Sequence, residues 1–350
     1  MDSDSTVIFP AMNRLAICLP LFAFGSDCPA TGQSLLQHGR KQSADFPPAA
    51  GKGGSLRASQ LEGHEVCNDD SYRSSALEAR FLQQPVKQTE TKEVLCQTLG
   101  ADAENWIQMN LEQTTLEDEK IFSKMCRTGR TPQLIEPLAG ILRDPRVFCD
   151  EQNSDSFFPQ NLFSIDWLVL ADSGTHSNTA KRFFFDAGGS HFRDATMFFA
   201  QKYEERGLPM DHIYVWEAEK QDLESYWEGT PPEVRQKWES RVTFYNGVPV
   251  TNETTSANNP VSRIHDLCGK DDFCAFKLDI DHPELESSLA EQLLSNPGHL
   301  KEFFFEQHVH GLMQDIWEKG GDVTVEGTVQ TTYELFQALR QKGVRAHSWI

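Results

Sequence analysis

The sequence lacks any apolar run long enough to cross a membrane as a helix. A spanning helix needs about 18 or more consecutive apolar residues, and no segment of the 350-residue chain approaches that length. The nearest run, residues 15–25 (LAICLPLFAFG), has the length of the apolar part of a secretory signal. We predict no stable membrane span. Residues 12–30 are a candidate signal segment, although the acidic start of the chain, MDSDS, argues against one.

Basic residues are few compared with acidic ones. The chain has 32 Lys and Arg against 52 Asp and Glu, which gives a formal net charge of -20. A surface of that sign repels the phosphate backbone of nucleic acids and anionic lipid headgroups. We therefore predict an acidic protein with no nucleic-acid partner. The same charge also favours solubility, which is the simpler explanation for it.

The eight cysteines show no C-x-x-C spacing, which argues against a zinc ribbon or a thioredoxin-like site. Cys268 and Cys274 are close enough in sequence to close a small disulfide loop in an oxidising compartment. The slightly favoured alternative is that Cys274 is a buried thiol at the start of a strand. Asn252 begins an Asn-Glu-Thr glycosylation acceptor, which matters only in the secretory pathway. The sequence therefore leaves the choice between the secretory pathway and the cytoplasm open.

The composition changes near residue 76. Residues 26–75 are rich in Gly, Ser, Gln and Pro and have few large apolar side chains, so they bury too little surface to offset the entropy of ordering. We predict a disordered leader over residues 1–76. From 77 to 150 the pattern is helical, and a short helix between prolines is expected from the leucines spaced four residues apart, namely Leu134, Leu138 and Leu142. This helical extension is expected to pack on the domain that follows.

Strand-length apolar runs alternate with helical patterns from residue 151 to 350. Such alternation predicts an α/β fold, a Rossmann-like doubly wound, mainly parallel sheet with helices on both faces. The predicted strands include RFFFDAG, HIYVWEAE, RVTFYNGVPV, FCAFKLDID and KEFFFEQHV. Ligands bind such sheets at the carboxyl ends of the strands. We therefore look for site residues where the strands end.

The first of these strands ends in Asp186, and Gly188, Gly189 and Ser190 form the following turn. Glycines there let a ligand approach the backbone and the amino end of the next helix. The dinucleotide fingerprint G-x-G-x-x-G is absent, which disfavours NAD. Glu217 ends the next strand, where an acid accepts hydrogen bonds from ribose hydroxyls in nucleotide-binding sheets.

The two acids at these strand ends suit a nucleoside that carries a sulfonium. Asp186 is expected near the sulfonium or methionine part, and Glu217 near the ribose. This pairing predicts S-adenosylmethionine as the cofactor. Asn246, at the end of the third strand, is a candidate for contact with adenine, or alternatively a residue that ends the strand in a turn.

Three segments together resemble the FkbM-like S-adenosylmethionine-dependent methyltransferases, and the resemblance covers roughly residues 160–350. They are FFFDAGGSHF, IYVWEAE and FCAFKLDIDHPELE. The family signature Lys-Ile-Asp-x-Glu-Gly-x-Glu falls in register on Lys277, Asp279, Asp281 and Glu284. The resemblance implies methylation of a hydroxyl group on a sugar or small natural product, and so a small-molecule or carbohydrate acceptor. Asp281 replaces the family's glutamate and His282 its glycine, which leaves a non-catalytic binding protein of the same fold as the alternative.

Methyl transfer asks little of the protein, because the sulfonium supplies an activated group and an in-line approach supplies most of the rate. A general base helps when the acceptor is a hydroxyl. The candidates lie where strands end: Asp279, Asp281, His282 and His308. His282 is the first candidate for contact with the acceptor. Its alternative role is to cap the following helix.

Two patterns offer metal ligands. Asp279 and Asp281 form an Asp-x-Asp, the arrangement by which glycosyltransferases hold a divalent ion, so a metal-dependent glycosyltransferase is a less favoured alternative. Glu306, His308 and His310 alternate along a strand end, but no fourth ligand or H-E-x-x-H motif accompanies them. We therefore assign no metal to the site.

Overall fold

The computed structural model describes a large part of the chain from residue 66 onward, all of it within one unit, Leu61–Ile350. The predicted signal segment and most of the predicted leader lie outside the described residues, as do residues 151–179 at the start of the predicted domain. The described residues are 66–83, 122–130, 132–138, 180–308 and 327–349.

A small antiparallel sheet precedes the main domain. Its strands pair in the order β1-β2-β3, and Ser71 lies opposite Cys126. The predicted leader is therefore too long at its C-terminal end, because a strand and the start of a helix lie before residue 77. Pairing between segments more than fifty residues apart leaves no mark on local composition. The elements are β1 (Ser71–Arg73), α1 (Ala76–Gln83), β2 (Ser123–Cys126) and β3 (Gln133–Ile135).

The helix expected around Leu134 is wrong for the residues described there. Gln133–Ile135 form β3, which pairs with β2. Pro132 and Pro137 flank this segment. A residue before proline is restricted to extended backbone, and the few residues between the two prolines cannot complete a stable helix. The remainder of the predicted helix, with Leu142, lies in the part of the chain that the structure does not describe.

The main sheet has six parallel strands in the order β6-β5-β4-β7-β8-β9. The predicted α/β class, with a Rossmann-like doubly wound parallel sheet, is confirmed. The chain runs outward from β4 to one edge and then returns to β7 on the other side of β4. The switch point of the topology therefore lies between β4 and β7. The strands are β4 (Arg182–Ala187), β5 (His212–Glu217), β6 (Val242–Asn246), β7 (Phe273–Leu278), β8 (Glu302–Phe305) and β9 (Arg345–Ser348).

Helices cover both faces of this sheet. The helices are α2 (Met197–Glu205), α3 (Leu223–Tyr226), α4 (Pro232–Trp238), α5 (Pro260–Leu267), α6 (Pro283–Ser295) and α7 (Val329–Gln341). Because side chains alternate along a strand, Phe183 and Phe185 pack on one face of the sheet with α1, α5, α6 and α7. Phe184 packs on the other face with α2, α3 and α4. A π-helical segment, Phe192–Thr196, precedes α2 and a short 3-10 turn, Glu239–Arg241, follows α4.

Helix α5 was not predicted from the sequence, although residues typical of a helix start precede it. Asn259 caps it by accepting a hydrogen bond from the Ser262 backbone N–H at 3.0 Å, and Pro260 occupies its first position. Asparagine followed by proline is a common helix start. The helix has only eight residues, too few for a clear apolar period.

A buried ion-pair network attaches the small sheet to α7 and β9. Arg340 of α7 donates to the Glu136 carboxylate at 2.8 Å and to the Tyr72 hydroxyl at 3.0 Å. His347 of β9 donates from Nδ1 to the same Glu136 oxygen at 2.7 Å. Burial alone would raise the pKa of Glu136, but the charges of His347 and Arg340 hold it below its usual value. Glu136 and Tyr72 therefore supply essential partners to α7 and β9, since unpaired buried charges cost several kcal/mol.

No helix in the described ranges is both long and apolar enough to span a bilayer. The longest of them, α6 and α7, have 13 residues each, and a spanning helix needs about 20. Within these ranges, the finding agrees with the prediction of no stable membrane span.

The described residues contain two disulfide bonds, Cys67–Cys126 and Cys268–Cys274. The favoured reading of Cys274 as a buried thiol is therefore wrong, and the alternative disulfide loop is correct. Helix α5 ends immediately before Cys268 and β7 begins next to Cys274. Their Cα atoms are thereby brought within 6.3 Å, a separation that a disulfide can bridge.

We predict that the two disulfides stabilise the fold by different amounts. The bond between Cys67 and Cys126 closes 59 residues and the bond between Cys268 and Cys274 closes 6. Loop-closure entropy then assigns about 4 kcal/mol to the first and about 2 kcal/mol to the second. In one variant for each bond, both of its cysteines are replaced by alanine, and the proteins are oxidised in a glutathione buffer. The loss in the free energy of unfolding in urea then measures the contribution of that bond. Peptide mapping that links these cysteines in any other way would contradict the assignment.

Candidate functional site

A cavity of about 760 Å³ lies at the carboxyl ends of the strands, at the switch point between β4 and β7. Its volume falls in the range of roughly 300–1,000 Å³ that is common for small-molecule sites. Eight of the ten predicted site residues line it, and Asn246 and His308 do not. The eight are Asp186, Gly188, Gly189, Ser190, Glu217, Asp279, Asp281 and His282.

The floor of the cavity is a buried ion-pair cluster. Lys277 Nζ lies 3.2 Å from Asp186 Oδ1 and 2.9 Å from Asp279 Oδ2, and its side chain is 2% exposed. Burial would lower the pKa of Lys277, but the two carboxylates raise it above its usual value. Burial would likewise raise the pKa of Asp279, whereas the Lys277 ammonium holds it below its usual value. A paired carboxylate with a lowered pKa is a weak general base, so the geometry favours a structural role for Asp279.

Two further donors complete this cluster. Thr196 Oγ1 donates to Asp186 Oδ2 at 2.6 Å, and Trp349 Nε1 donates to Asp279 Oδ2 at 3.2 Å. Each Asp186 oxygen thus has a protein partner, because the other one faces Lys277. Asp186 therefore offers a ligand its negative charge more than a free hydrogen-bond acceptor.

The two glycines of the turn are required by the sheet itself. Gly188 has a φ of +94°, and a Cβ there would overlap the backbone carbonyl oxygen of Asp279. A Cβ on Gly189 would come within 2.5 Å of Val215 Cγ1. Both backbone N–H groups donate to the Trp216 carbonyl oxygen, at 3.0 and 3.2 Å. Both N–H groups are therefore engaged within the sheet, and both glycines line the cavity, as expected from their place in the turn.

Glu217 ends β5 at the wall of the cavity, as predicted. Its Oε1 accepts a hydrogen bond from the Glu219 backbone N–H at 2.7 Å. Asn246 has a different role from the predicted contact with adenine. Its amide accepts from the Gln221 backbone N–H at 2.9 Å and donates to the Gln221 carbonyl at 2.7 Å. Asn246 therefore orients Gln221, whose side chain lines the cavity and donates to the Ser190 carbonyl at 2.6 Å.

His282 caps α6 and also lines the cavity. Its Nδ1 accepts a hydrogen bond from the Leu285 backbone N–H at 3.4 Å, so it caps α6, and the exposed ring also lines the cavity. Acceptance at Nδ1 places the proton of the neutral ring on Nε2. The ring therefore presents an Nε2–H donor at the cavity.

His308 is buried away from the cavity. It follows β8, beyond Phe305, so the alternation expected along a continuous strand does not apply to it. Its ring nitrogens lie 3.6 Å from a Glu286 oxygen and 3.8 Å from a Glu306 oxygen. Burial raises the pKa of Glu286 to about 8, and the negative charges of Asp279 and Asp281 add to this effect. His310 lies outside the described residues.

Sequence reasoning missed several residues that line the cavity, among them Asp194, Glu219, Gln221 and Trp349. Asp194 stands in the first turn after the glycines, which was a usable signal. Burial raises the pKa of Asp194 from its usual value. Phe192 does not fill the cavity, since it is fully buried with its ring 4.6 Å from that of Trp227.

Comparisons with family models, with curated proteins and with solved structures find no match to this chain. The fold and the cavity define it as a Rossmann-like α/β protein with an acidic cavity at the switch point. Six carboxylates line that cavity against two lysines, Lys220 and Lys277. The carboxylates are those of Asp186, Asp194, Glu217, Glu219, Asp279 and Asp281.

We predict that Lys277→Met destabilises the protein by about 3–5 kcal/mol, because it leaves the buried carboxylates without their cation. The free energy of unfolding in urea measures the loss. Lys270→Met, at an exposed lysine, is the matched control and should change it by less than about 0.5 kcal/mol. A loss below about 1 kcal/mol in Lys277→Met would show that the ion pairs do not hold the strand ends together.

Proposed function

We propose that the protein is an S-adenosylmethionine-dependent methyltransferase of the FkbM-like type. The observation that supports this most is an acidic cavity at the switch point, with Glu217 at the end of β5 and the glycine turn in its lining. An acidic cavity favours a ligand with a cationic centre, such as a sulfonium or an ammonium. It disfavours the pyrophosphate of a dinucleotide for the same reason.

Different residues are assigned to different parts of the cofactor. Glu217 accepts hydrogen bonds from the ribose hydroxyls, as an acid at this place does in nucleotide-binding sheets. Asp186 and Asp194 contribute negative charge beside the glycine turn, where the cationic part of the ligand is expected. Asn246 acts indirectly, through the loop residue Gln221 that it holds.

The acceptor is a hydroxyl on a sugar or small natural product. Bound S-adenosylmethionine would supply the activated methyl group, so the task of the chain is to orient the acceptor. His282 and Asp281 are exposed at the rim of the cavity, and Leu285 and Trp349 add apolar surface. His282 offers Nε2–H to the acceptor molecule, and Asp281 offers a carboxylate as the general base.

A secretory location fits the cysteines. Disulfides persist mainly in oxidising compartments, and the described residues contain two. Asn252, the glycosylation acceptor, is exposed. These observations favour the secretory pathway over the cytoplasm.

Two alternatives compete with this proposal. A non-catalytic protein of the same fold would bind the cofactor without turnover, and the structural role of Asp279 gives that reading some support. A glycosyltransferase with a metal between Asp279 and Asp281 is less compatible with the geometry, because Lys277 and Trp349 already occupy the Asp279 carboxylate.

We predict micromolar binding of S-adenosylmethionine and S-adenosylhomocysteine, about -8 kcal/mol, in a calorimetric titration. The full-length chain is used, because Arg340 and His347 need Glu136 as their partner. NADH is the comparison ligand and should give no heat. Binding of NADH in place of the methyl donor, or of neither in a folded protein, would refute the proposal. Binding without methylation across a panel of hydroxyl acceptors would favour the non-catalytic alternative.

We predict that Glu217→Gln weakens binding of S-adenosylmethionine about 10- to 100-fold, since a hydrogen bond to a charged group contributes about 1.5–3 kcal/mol. The amide keeps an oxygen to accept the Glu219 N–H bond, so the loop is preserved. Glu228→Gln, at an exposed glutamate that does not line the cavity, is the control. Equal affinity of both variants and the unaltered chain would mean that Glu217 does not hold the ribose.

A further inference from the structure

The loop between β6 and α5 carries a glycosylation acceptor that the fold leaves exposed. Asn252, Glu253 and Thr254 form the one Asn-x-Ser/Thr sequence in the 350-residue chain, and all three residues are exposed. The residue between Asn and Thr is not proline, as glycan attachment requires. A glycan is bulky and hydrated, so its asparagine has to lie at the surface of the folded protein. Asn252 meets both conditions.

Hydrogen bonds hold the acceptor against α5 and α6. Asn252 Nδ2 donates to Ser288 Oγ at 3.0 Å, and the Asn252 carbonyl accepts from the Gln292 side chain at 2.7 Å. Ser262 Oγ of α5 donates to the Thr254 carbonyl at 2.8 Å. An amide nitrogen carries two hydrogens, so attachment of a glycan at Nδ2 leaves one N–H for Ser288. The folded loop is therefore compatible with a glycan on Asn252.

A groove of about 560 Å³ between α5 and α6 begins at this loop. Thr254 and Ser288 line it beside the acceptor, and His265 and Asn296 line it further along the two helices. The His265 ring is hydrogen-bonded to the Asn296 carbonyl at 2.8 Å. From Ser288 to Asn296 the groove follows α6 for roughly two turns, about 12 Å. It thus leads away from Asn252 along the protein surface.

The lining of this groove is polar. Of the described residues that line it, only Val261 is apolar. The others carry hydroxyl, carboxylate, amide or imidazole groups, among them Ser262, Asp266, Glu291 and Gln292. These groups donate and accept hydrogen bonds, as the hydroxyl and acetamido groups of sugars do. Pockets for drug-like molecules are mostly apolar, so this lining favours a carbohydrate over such a molecule.

The disulfide bonds supply an independent observation. Glycans are attached to Asn-x-Ser/Thr sequences in the secretory pathway, where disulfides also form and persist. The bond between Cys268 and Cys274 directly follows α5, which forms one side of the groove. The inference therefore rests on the secretory location proposed above, and it does not depend on methyl transfer.

We propose that Asn252 carries an N-linked glycan and that its first sugars lie along the groove between α5 and α6. In the transfer, Asn252 Nδ2 attacks C1 of an oligosaccharide that is held as a lipid-linked pyrophosphate. The bond between C1 and Nδ2 forms, and the bond between C1 and the phosphate oxygen breaks. The lipid pyrophosphate leaves with the bonding electrons, and the amide loses one proton. Asn252 does not line the cavity at the switch point, so the glycan is attached outside it.

The test is production of the full-length chain, with its own N-terminus, in cultured animal cells. Peptide N-glycosidase removes N-linked glycans and leaves aspartate in place of each glycosylated asparagine. Peptide mass spectrometry then locates the site. We expect a lower mass of the protein after treatment and conversion of Asn252, because it is the acceptor that both the sequence and its exposure allow.

Thr254→Ala and Thr254→Ser are the matched pair of variants. The first removes the hydroxyl that the acceptor sequence requires, so we expect loss of the glycan. The second keeps an Asn-x-Ser/Thr sequence and should retain it. Both variants keep the backbone carbonyl to which Ser262 donates, and the position is exposed, so both should fold. Asn252→Gln should lose the glycan as Thr254→Ala does.

Hydrogen–deuterium exchange tests where the sugars lie. Contacts in the groove would oppose local opening of the helices that form it. We therefore expect exchange in α5 and α6 to be at least about threefold slower in the glycosylated chain than in Thr254→Ala. Exchange in α4, which packs on the other face of the sheet, is the internal control and should be the same in both.

An unmodified Asn252 in the unaltered chain would overturn the proposal, as would a glycan that persists in Thr254→Ala. Equal exchange in α5 and α6 with and without the glycan would overturn the position of the sugars in the groove. Titration of the glycosylated chain and of Thr254→Ala with S-adenosylmethionine tests the proposed function separately. The failure of one proposal therefore cannot be mistaken for the failure of the other.

Discussion

A single buried ammonium organises the site. Lys277 of β7 is held between Asp186, which lies near the end of β4, and Asp279, which follows β7. A buried charge is tolerated only when it is paired, so the ends of the two strands stay in one arrangement. The glycine turn packs against the same place, where Gly188 lies against the Asp279 carbonyl. The switch point, the cavity floor and the turn thus depend on one set of contacts.

Paired buried charges also attach the small sheet to α7 and β9. Arg340 and His347 contact Glu136, next to the small sheet, so the small sheet is part of the same folded unit. At the cavity the carboxylates outnumber the cations. This excess leaves unpaired negative charge in the cavity lining, which favours a ligand with a cationic centre.

The main sheet could be predicted from the sequence because its signals are local. Runs such as Phe183–Phe185 are apolar throughout, and glycines and prolines mark where the elements end. The small sheet could not be predicted in this way. Its strands have three or four residues, and β1 pairs with β2 across more than fifty positions. The pairing of Cys268 with Cys274 likewise depended on α5, a helix too short to be recognised by its apolar period.

The sequence by itself determined the fold class and the place of the site, because the order of strands and helices decides which strand ends meet. It thereby brought Asp186, Glu217 and Asp281 to one edge. Only the tertiary structure decided which partners the individual residues at that edge have. Asp279 is paired with Lys277, Asn246 holds Gln221, and both glycine N–H groups are used by Trp216. The physical reason is that the partners of a side chain come from strands and loops that are far apart in sequence. No local sequence pattern shows which of these segments come close together in space.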